Sequence, residues 1–219
     1  MQCAGTGRPT ILLEAGDNSD SGQWSPIFTS LAEQSRTCAY DRAGLGRSDS
    51  ATGCRQLDDL LDDTEALLQA ARIDPPYLLV GSSGGGYLMA GLAARHPEQV
   101  NGLVLLETPK AITILPPEVR AEIQCDAPGN VEHRDYRAVE HAVWDRRTSL
   151  GGFPMRIMSN DYGQNSPPGD EKTNVEDQRG WLVLSPNSKQ IVVTSGHDVV
   201  WNETELTLKL ILDVHEEAR

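Results

Sequence analysis

The stretch YLLVGSSGGGYLMAGLAARHPEQVNGLVLLE, Tyr77 to Glu107, decides how the chain is read. An apolar run of strand length meets two serines and three glycines. A segment rich in Ala, Leu and Gly follows, and then a second apolar run, Gly102 to Glu107. Strand, tight turn, helix, strand is the βαβ unit of a parallel sheet. Within the turn, Gly81 to Gly85 spells G-S-S-G-G, a match to G-x-S-x-G. A serine at a sharp strand-to-helix turn sits in strained backbone, and small neighbours keep that corner free of collisions. This register puts Ser83 at the tip and Ser82 at the variable position. The N–H of Gly84 then falls at the helix start, where it can hold a developing negative charge. The chain shows neither the dinucleotide pattern G-x-G-x-x-G at this turn nor a P-loop Lys-Ser/Thr.

The same alternation extends outward. Thr10 to Gly16, Thr37 to Asp41, Met155 to Ser159 and Gln190 to Gly196 read as further buried strands. Helical patterns cover Trp24 to Gln34, Leu57 to Ala71, Gly85 to Arg95 and Glu203 to Glu216. The expected class is α/β, a mostly parallel sheet with helices on both faces, with N-terminal strands reduced or missing. The 219 residues fit a single domain, 1–219. Residues 108–152 break the rhythm, with weak helical patterns at Pro117 to Gln124 and Asp135 to Ser149. They read as a short helical lid. NDYGQNSPPGDEKTN, from Asn160 to Asn174, reads as a loop.

At 38% apolar and 23% charged residues the composition is that of an ordinary globular protein. A net charge of −13 repels phosphate backbones and anionic lipid heads, so neither nucleic acid nor a membrane surface is the expected partner. No window approaches the ~20 apolar residues of a membrane span. MQCAGTGRPT lacks the basic start and apolar stretch of a signal peptide, so the expected location is cytoplasmic; a strand starting near the chain's beginning also fits a trimmed chain or a removed leader. Cys3, Cys38, Cys54 and Cys125 form no C-x-x-C pair, which argues against a zinc site. Free, buried thiols are the default, with Cys38–Cys54 the one bridge considered.

LLEAGDNSDSGQW, YDRAGLGRSDS, LLVGSSGGG, GLVLLE and SGHDVVWNETE occur in the order and at the spacings of the α/β-hydrolase superfamily, and the chain resembles an esterase-like serine hydrolase of that group from Thr10 to its final helix. The resemblance implies a catalytic triad. Ser83 would be the nucleophile, and a serine hydroxyl needs a base within hydrogen-bond reach. His197, between the strand ending at Gly196 and the last helix, stands where the fold places that base. His96, His133 and His141 read as ordinary polar residues, and His215 as part of an exposed last turn. Two positions compete for the orienting acid: Glu107, at the end of the strand after the elbow helix, and Asp161, at the commoner location but without the usual glycine spacing. Asp170 and Asp177 are further candidates.

The resemblance also implies an oxyanion hole built from the Gly84 N–H and a second N–H in the loop after Glu14. There the usual His-Gly-x is replaced by Ala15-Gly16-Asp17, which makes the Asp17 N–H the candidate. Glu14 either takes over the missing bracing or is a buried acid paired with Arg42. Arg42, Arg47 and Asp49 of DRAGLGRSD are expected to tie loops together, and Trp24, Trp181 and Trp201 read as core or as an acyl pocket. The implied activity is cleavage of a small-molecule carboxylic ester with no metal or organic cofactor, by a monomer or homodimer. Acyl transfer or peroxide chemistry, amide or lactone hydrolysis, and a non-catalytic small-ligand binder remain the alternatives.

Overall fold

The computed structural model describes residues 1–111, 121, 123–163 and 171–219, with side chains left out for 171–173. The central sheet has seven strands: β1 (Gln2–Ala4), β2 (Thr10–Glu14), β3 (Thr37–Ala39), β4 (Tyr77–Ser82), β5 (Val100–Leu106), β6 (Met155–Asn160) and β7 (Ser188–Val193). Their spatial order is β1-β3-β2-β4-β5-β6-β7. All neighbours are parallel except β1, which runs antiparallel to β3. The six strands read from sequence are present. β1 is the short N-terminal strand, three exposed residues with no apolar run to announce it.

Alternation along the strands divides the core in two. Leu12, Leu79, Leu103, Leu105 and Ile157 face one side, where they meet α2 (Leu57–Ala70), α3 (Gly84–Arg95) and α4 (Tyr136–Trp144). Ile11, Leu13, Leu78, Val80, Val104, Leu106 and Met158 face the other, against α1 (Phe28–Gln34), α6 (Val199–Asn202) and α7 (Thr204–Glu217). Strands covered on both faces need not alternate with polar residues, so they appear in sequence as continuous apolar runs. Each fully buried Leu or Ile contributes about 2 kcal/mol through apolar burial.

Several local expectations are corrected. The helix expected over Trp24 to Gln34 divides into a 3-10 turn, Ser21–Trp24, and α1. Pro26 lies between them and has no N–H to continue a helix. The stretch read as a loop up to Asn174 contains the start of α5 (Glu171–Gln178). This helix carries no apolar stripe, so no periodicity reveals it. Polar ties hold it to the end of β6, among them Asn174 Nδ2 donating to Asn160 O at 2.9 Å. His215 is buried rather than exposed. Trp24 and Trp181 are core residues, the latter donating to Thr108 O at 3.0 Å, and Trp201 is exposed.

The cysteines are not free thiols, and Cys38 does not pair with Cys54. The bridges are Cys3–Cys38 and Cys54–Cys125. Cys3 and Cys38 are register partners across the β1–β3 pair, which brings their Cα atoms to 4.1 Å. The pairing depended on the strand that the sequence does not announce.

Of segment 108–152, the helix expected at Pro117 to Gln124 lies mostly outside the described residues. The second pattern forms α4, capped by Asp135, whose Oδ1 accepts the Ala138 N–H at 3.0 Å. Val139 and Val143 join the core beside α3. The Cys54–Cys125 bridge and the hydrogen bonds Arg55 N to His133 O (2.8 Å) and Asp135 N to Arg55 O (2.9 Å) stitch the segment to the loop before α2. Among the described residues no helix is long and apolar enough to cross a membrane.

Candidate active site

β4 ends in the glycine-rich corner. A Cβ on Gly81 would lie 2.6 Å from Gly86 Cα, so the strand and helix can approach this closely only without side chains. Ser83 takes φ +49° and ψ −125°, a sparsely populated conformation costing about 1–3 kcal/mol. Its backbone is held by Ser83 N to Leu106 O at 2.8 Å and Gly86 N to Ser83 O at 3.0 Å. Ser83 stays partly exposed. Ser82 is buried, its hydroxyl accepting from Gln23 Nε2 at 3.2 Å. Of the two serines, only Ser83 presents its hydroxyl to the imidazole.

His197 Nε2 stands 2.9 Å from Ser83 Oγ, and His197 Nδ1 stands 3.3 Å from Glu107 Oε2. The structure thus brings together Ser83, His197 and Glu107 from the ends of β4, β7 and β5. In the arrangement these contacts fit, Nδ1–H donates to the carboxylate and Nε2 accepts the serine proton. The hydrogen bond to Glu107 raises the His197 pKa above its ordinary value, outweighing the opposing effect of burial. Glu107 is almost wholly buried, at 1% exposure, whereas the His197 side chain is 54% exposed.

Burying a carboxylate requires donors for its lone pairs. Glu107 Oε1 accepts from Asn160 N at 2.5 Å and Gln178 Nε2 at 3.0 Å. Oε2 accepts from the Tyr162 hydroxyl at 2.6 Å as well as facing His197. The Tyr162 proton is committed to Glu107, so a lone pair of its oxygen faces Nδ1, 3.2 Å away. Burial and the adjoining carboxylate push the Tyr162 pKa up, which keeps the phenol a neutral donor.

Asp161 is not brought to the imidazole by any described contact; its Oδ1 accepts the Gly163 N–H at 3.1 Å. Asp177 pairs with Lys110 at 3.2 Å. Asp170 lies outside the described residues. Asn160, the last residue of β6, directly precedes Asp161, and its N–H donates to Glu107 on the neighbouring strand.

The loop after β2 lies beside this corner. Gly16 N donates to Gln23 Oε1 at 2.9 Å, and a Cβ on Gly16 would sit 3.4 Å from Ser83 Cβ. Gly84 opens α3, so its N–H is among the first-turn donors that a helix leaves without an intrahelical partner, and among the described residues no acceptor is shown for the Asp17 N–H. Glu14 is the buried acid of the two readings given for it. It pairs with Arg42 and takes a hydrogen bond from Tyr40, and burial raises its pKa despite those partners. Arg42 also donates to Ala15 O at 2.7 Å, Gly16 O at 2.8 Å and Glu132 Oε2 at 2.6 Å. Arg47 N and Ser21 N donate to Asp41, and Asp49 O accepts from Gly44 N.

Sequence reasoning missed Tyr162, Gln178, Gln23, Glu132 and Arg134. The first two lie in or after the stretch read as loop, and the last two lie in the segment read as lid. No local spacing or periodicity marks any of these residues in the sequence. Among the described residues no group of three or more His, Cys, Asp or Glu is placed to hold a metal.

Comparison with known proteins bears on the fold. The chain is 25% identical over 199 residues to the uncharacterized protein YqjL of Bacillus subtilis, covering 85% of this chain and 79% of that protein. A protein of Azorhizobium caulinodans provisionally named as the carbamate hydrolase RutD is 34% identical over 102 residues, 47% of this chain and 38% of its own length. Among solved structures, Est816, described as an N-acyl homoserine lactone degrading enzyme, superposes with a TM-score of 0.78 at 20% identity, covering 97% of this chain and 95% of that one. The sequence model described as "alpha/beta hydrolase fold" matches residues 9–126, which span β2, the serine corner, β5 and its terminal Glu107. With the sheet order, the strained Ser83 and that match all in agreement, the chain belongs to the α/β-hydrolase fold family.

Proposed function

We propose that the protein is a serine hydrolase that cleaves small carboxylic esters through an acyl-enzyme. The observation that carries this reading is the 2.9 Å contact between Ser83 Oγ and His197 Nε2, with Glu107 behind the imidazole. His197 takes the hydroxyl proton as Oγ attacks the ester carbonyl carbon. The tetrahedral oxygen accepts from the N–H groups of Asp17 and Gly84. Collapse breaks the bond to the alcohol, which leaves with the proton from His197. Water then gives a proton to His197 and attacks the acyl carbon, and Ser83 departs with that proton as the acid is released. Glu107 stabilises the imidazolium in both halves.

The exposed imidazole favours hydrolysis over acyl transfer, because transfer to an alcohol or peroxide requires water to be kept from the acyl-enzyme. Two disulfides favour an oxidising compartment over the cytoplasmic expectation. The expected partner is a neutral small ester, with no nucleic acid or membrane surface involved, and the protein works as a monomer or homodimer.

The test is turnover of p-nitrophenyl acetate and butyrate together with labelling by a fluorophosphonate. Turnover by the wild type, a single label on Ser83, and loss of both in a folded Ser83→Ala protein are expected. A folded wild type that neither labels nor turns over ester would leave the binding-protein alternative standing.

A further inference from the structure

Arg134 lies between β5 and α4, in the segment read from sequence as a lid, and its side chain is fully buried. Nη1 donates to Asp17 Oδ1 at 2.5 Å and Nη2 to Gly84 O at 3.3 Å, while the guanidinium lies 5.2 Å from the centre of the Tyr136 ring. Its buried Nε has no acceptor among the described residues. A buried cation with a donor left over is costly to the fold, so packing alone does not account for it.

What the cation faces does account for it. The Asp17 carboxylate is 28% exposed and lies against Gly84, where an added Cβ would meet its Oδ1 at 1.9 Å. Asp17 and Gly84 are the residues whose N–H groups face the reacting oxygen in the hydrolase reading. A negative side chain therefore stands beside the place where negative charge develops. At an effective dielectric of about 20, an uncompensated unit charge ~5 Å away changes a rate on the order of a hundredfold.

We infer that Arg134 is a positioning residue of the oxyanion hole: it neutralises Asp17, turns that carboxylate away from the substrate and fixes its N–H beside that of Gly84. The inference rests on the serine-hydrolase reading. Neighbouring residues of the same segment complete the brace. Glu132 accepts from Asn18 N at 3.3 Å, and the Tyr136 hydroxyl donates to Asn18 Oδ1 at 3.3 Å. Glu132 through Tyr136 thus supply the support that the resemblance assigns to the histidine missing before Gly16.

The experiment measures kcat and KM on p-nitrophenyl butyrate, with thermal unfolding and fluorophosphonate labelling, for the wild type, Arg134→Gln, Arg134→Lys and the double variant Asp17→Asn/Arg134→Gln. Arg134→Gln is expected to lower kcat about 30- to 300-fold with KM within about threefold, because the interaction acts on the transition state. The double variant is expected to regain at least about tenfold over Arg134→Gln, since it removes the charge left exposed. Arg134→Lys keeps the charge and is expected to stay within about tenfold of wild type. A purely structural arginine gives no recovery in the double variant, and that result overturns the inference, as does an Arg134→Gln protein with undiminished kcat. If Arg134→Gln fails to fold, the Lys variant decides: native unfolding with a kcat loss beyond about a hundredfold overturns the inference. An unlabelled, inactive wild type overturns the hydrolase reading itself, and a labelled, active wild type with an indifferent Arg134 overturns this inference alone.

Discussion

Glu107 meets His197 from the end of the strand that directly follows the elbow helix, 3.3 Å from Nδ1 and held by donors from Asn160, Tyr162 and Gln178. In the hydrolase reading the acid therefore stands one strand closer to Ser83 than Asp161 does. Replacing the carboxylate by an amide keeps the shape and removes the charge that stabilises the imidazolium. Glu107→Gln is expected to reduce kcat by about a thousandfold or more, and Asp161→Asn by less than about threefold, in steady-state turnover of p-nitrophenyl butyrate. The reverse order of effects would return the acid's role to Asp161.

The same contact sets a pH dependence. In the proposed mechanism only the neutral imidazole accepts the serine proton, so the rate is expected to rise with pH through the His197 pKa. The Glu107 hydrogen bond raises that pKa above the ordinary 6.5, so the acid limb of kcat/KM is expected to have its midpoint above 6.5. In Glu107→Gln the raising interaction weakens while burial, which lowers the pKa, remains. The midpoint should move down; a midpoint that stays or rises would separate the limb from His197.

His215 gives a second, purely structural pH effect. Burial, followed by the nearby Arg219, lowers its pKa in the folded protein, and its Nε2 has no partner among the described residues. Below about pH 6.5 the unfolded chain takes up a proton that the folded one resists, so stability falls with falling pH and is fully present above that value. Melting temperature followed from pH 7.5 to 5.0 should drop less steeply in His215→Phe than in wild type. Parallel curves would refute this.

The Cys54–Cys125 bridge closes a separation of 71 residues and joins the post-β5 segment to the loop before α2. Opening it by Cys54→Ser/Cys125→Ser is expected to cost about 2–4 kcal/mol in urea unfolding, and more than opening Cys3–Cys38, whose separation is 35. An unchanged urea midpoint would mean that the hydrogen bonds around Arg55 suffice to hold the segment.

The main sheet and elbow were legible because their signals are local. Buried parallel strands show as apolar runs, and the corner at Ser83 needs small residues in consecutive positions. His197 was singled out through its place before the last helix, and it lies 2.9 Å from Ser83 Oγ. The bracing was not legible, because it depends on pairs far apart in the chain. Arg134 and Asp17 are separated by 117 residues, and Gln178 and Glu107 by 71. A polar residue in a polar segment carries no periodicity to mark that it will be buried. β1 and α5 escaped for the related reason that neither has an apolar face.

A sheet edge with unpaired backbone groups is a template on which a foreign chain can crystallise as an added strand. Here Cys3–Cys38 locks β1 against β3 by a covalent bond, so this flank cannot peel back and expose β3 to an intruder. The opposite edge is Ser188–Val193, and reducing agents, by freeing the three-residue β1, would let β3 take its place as the exposed edge.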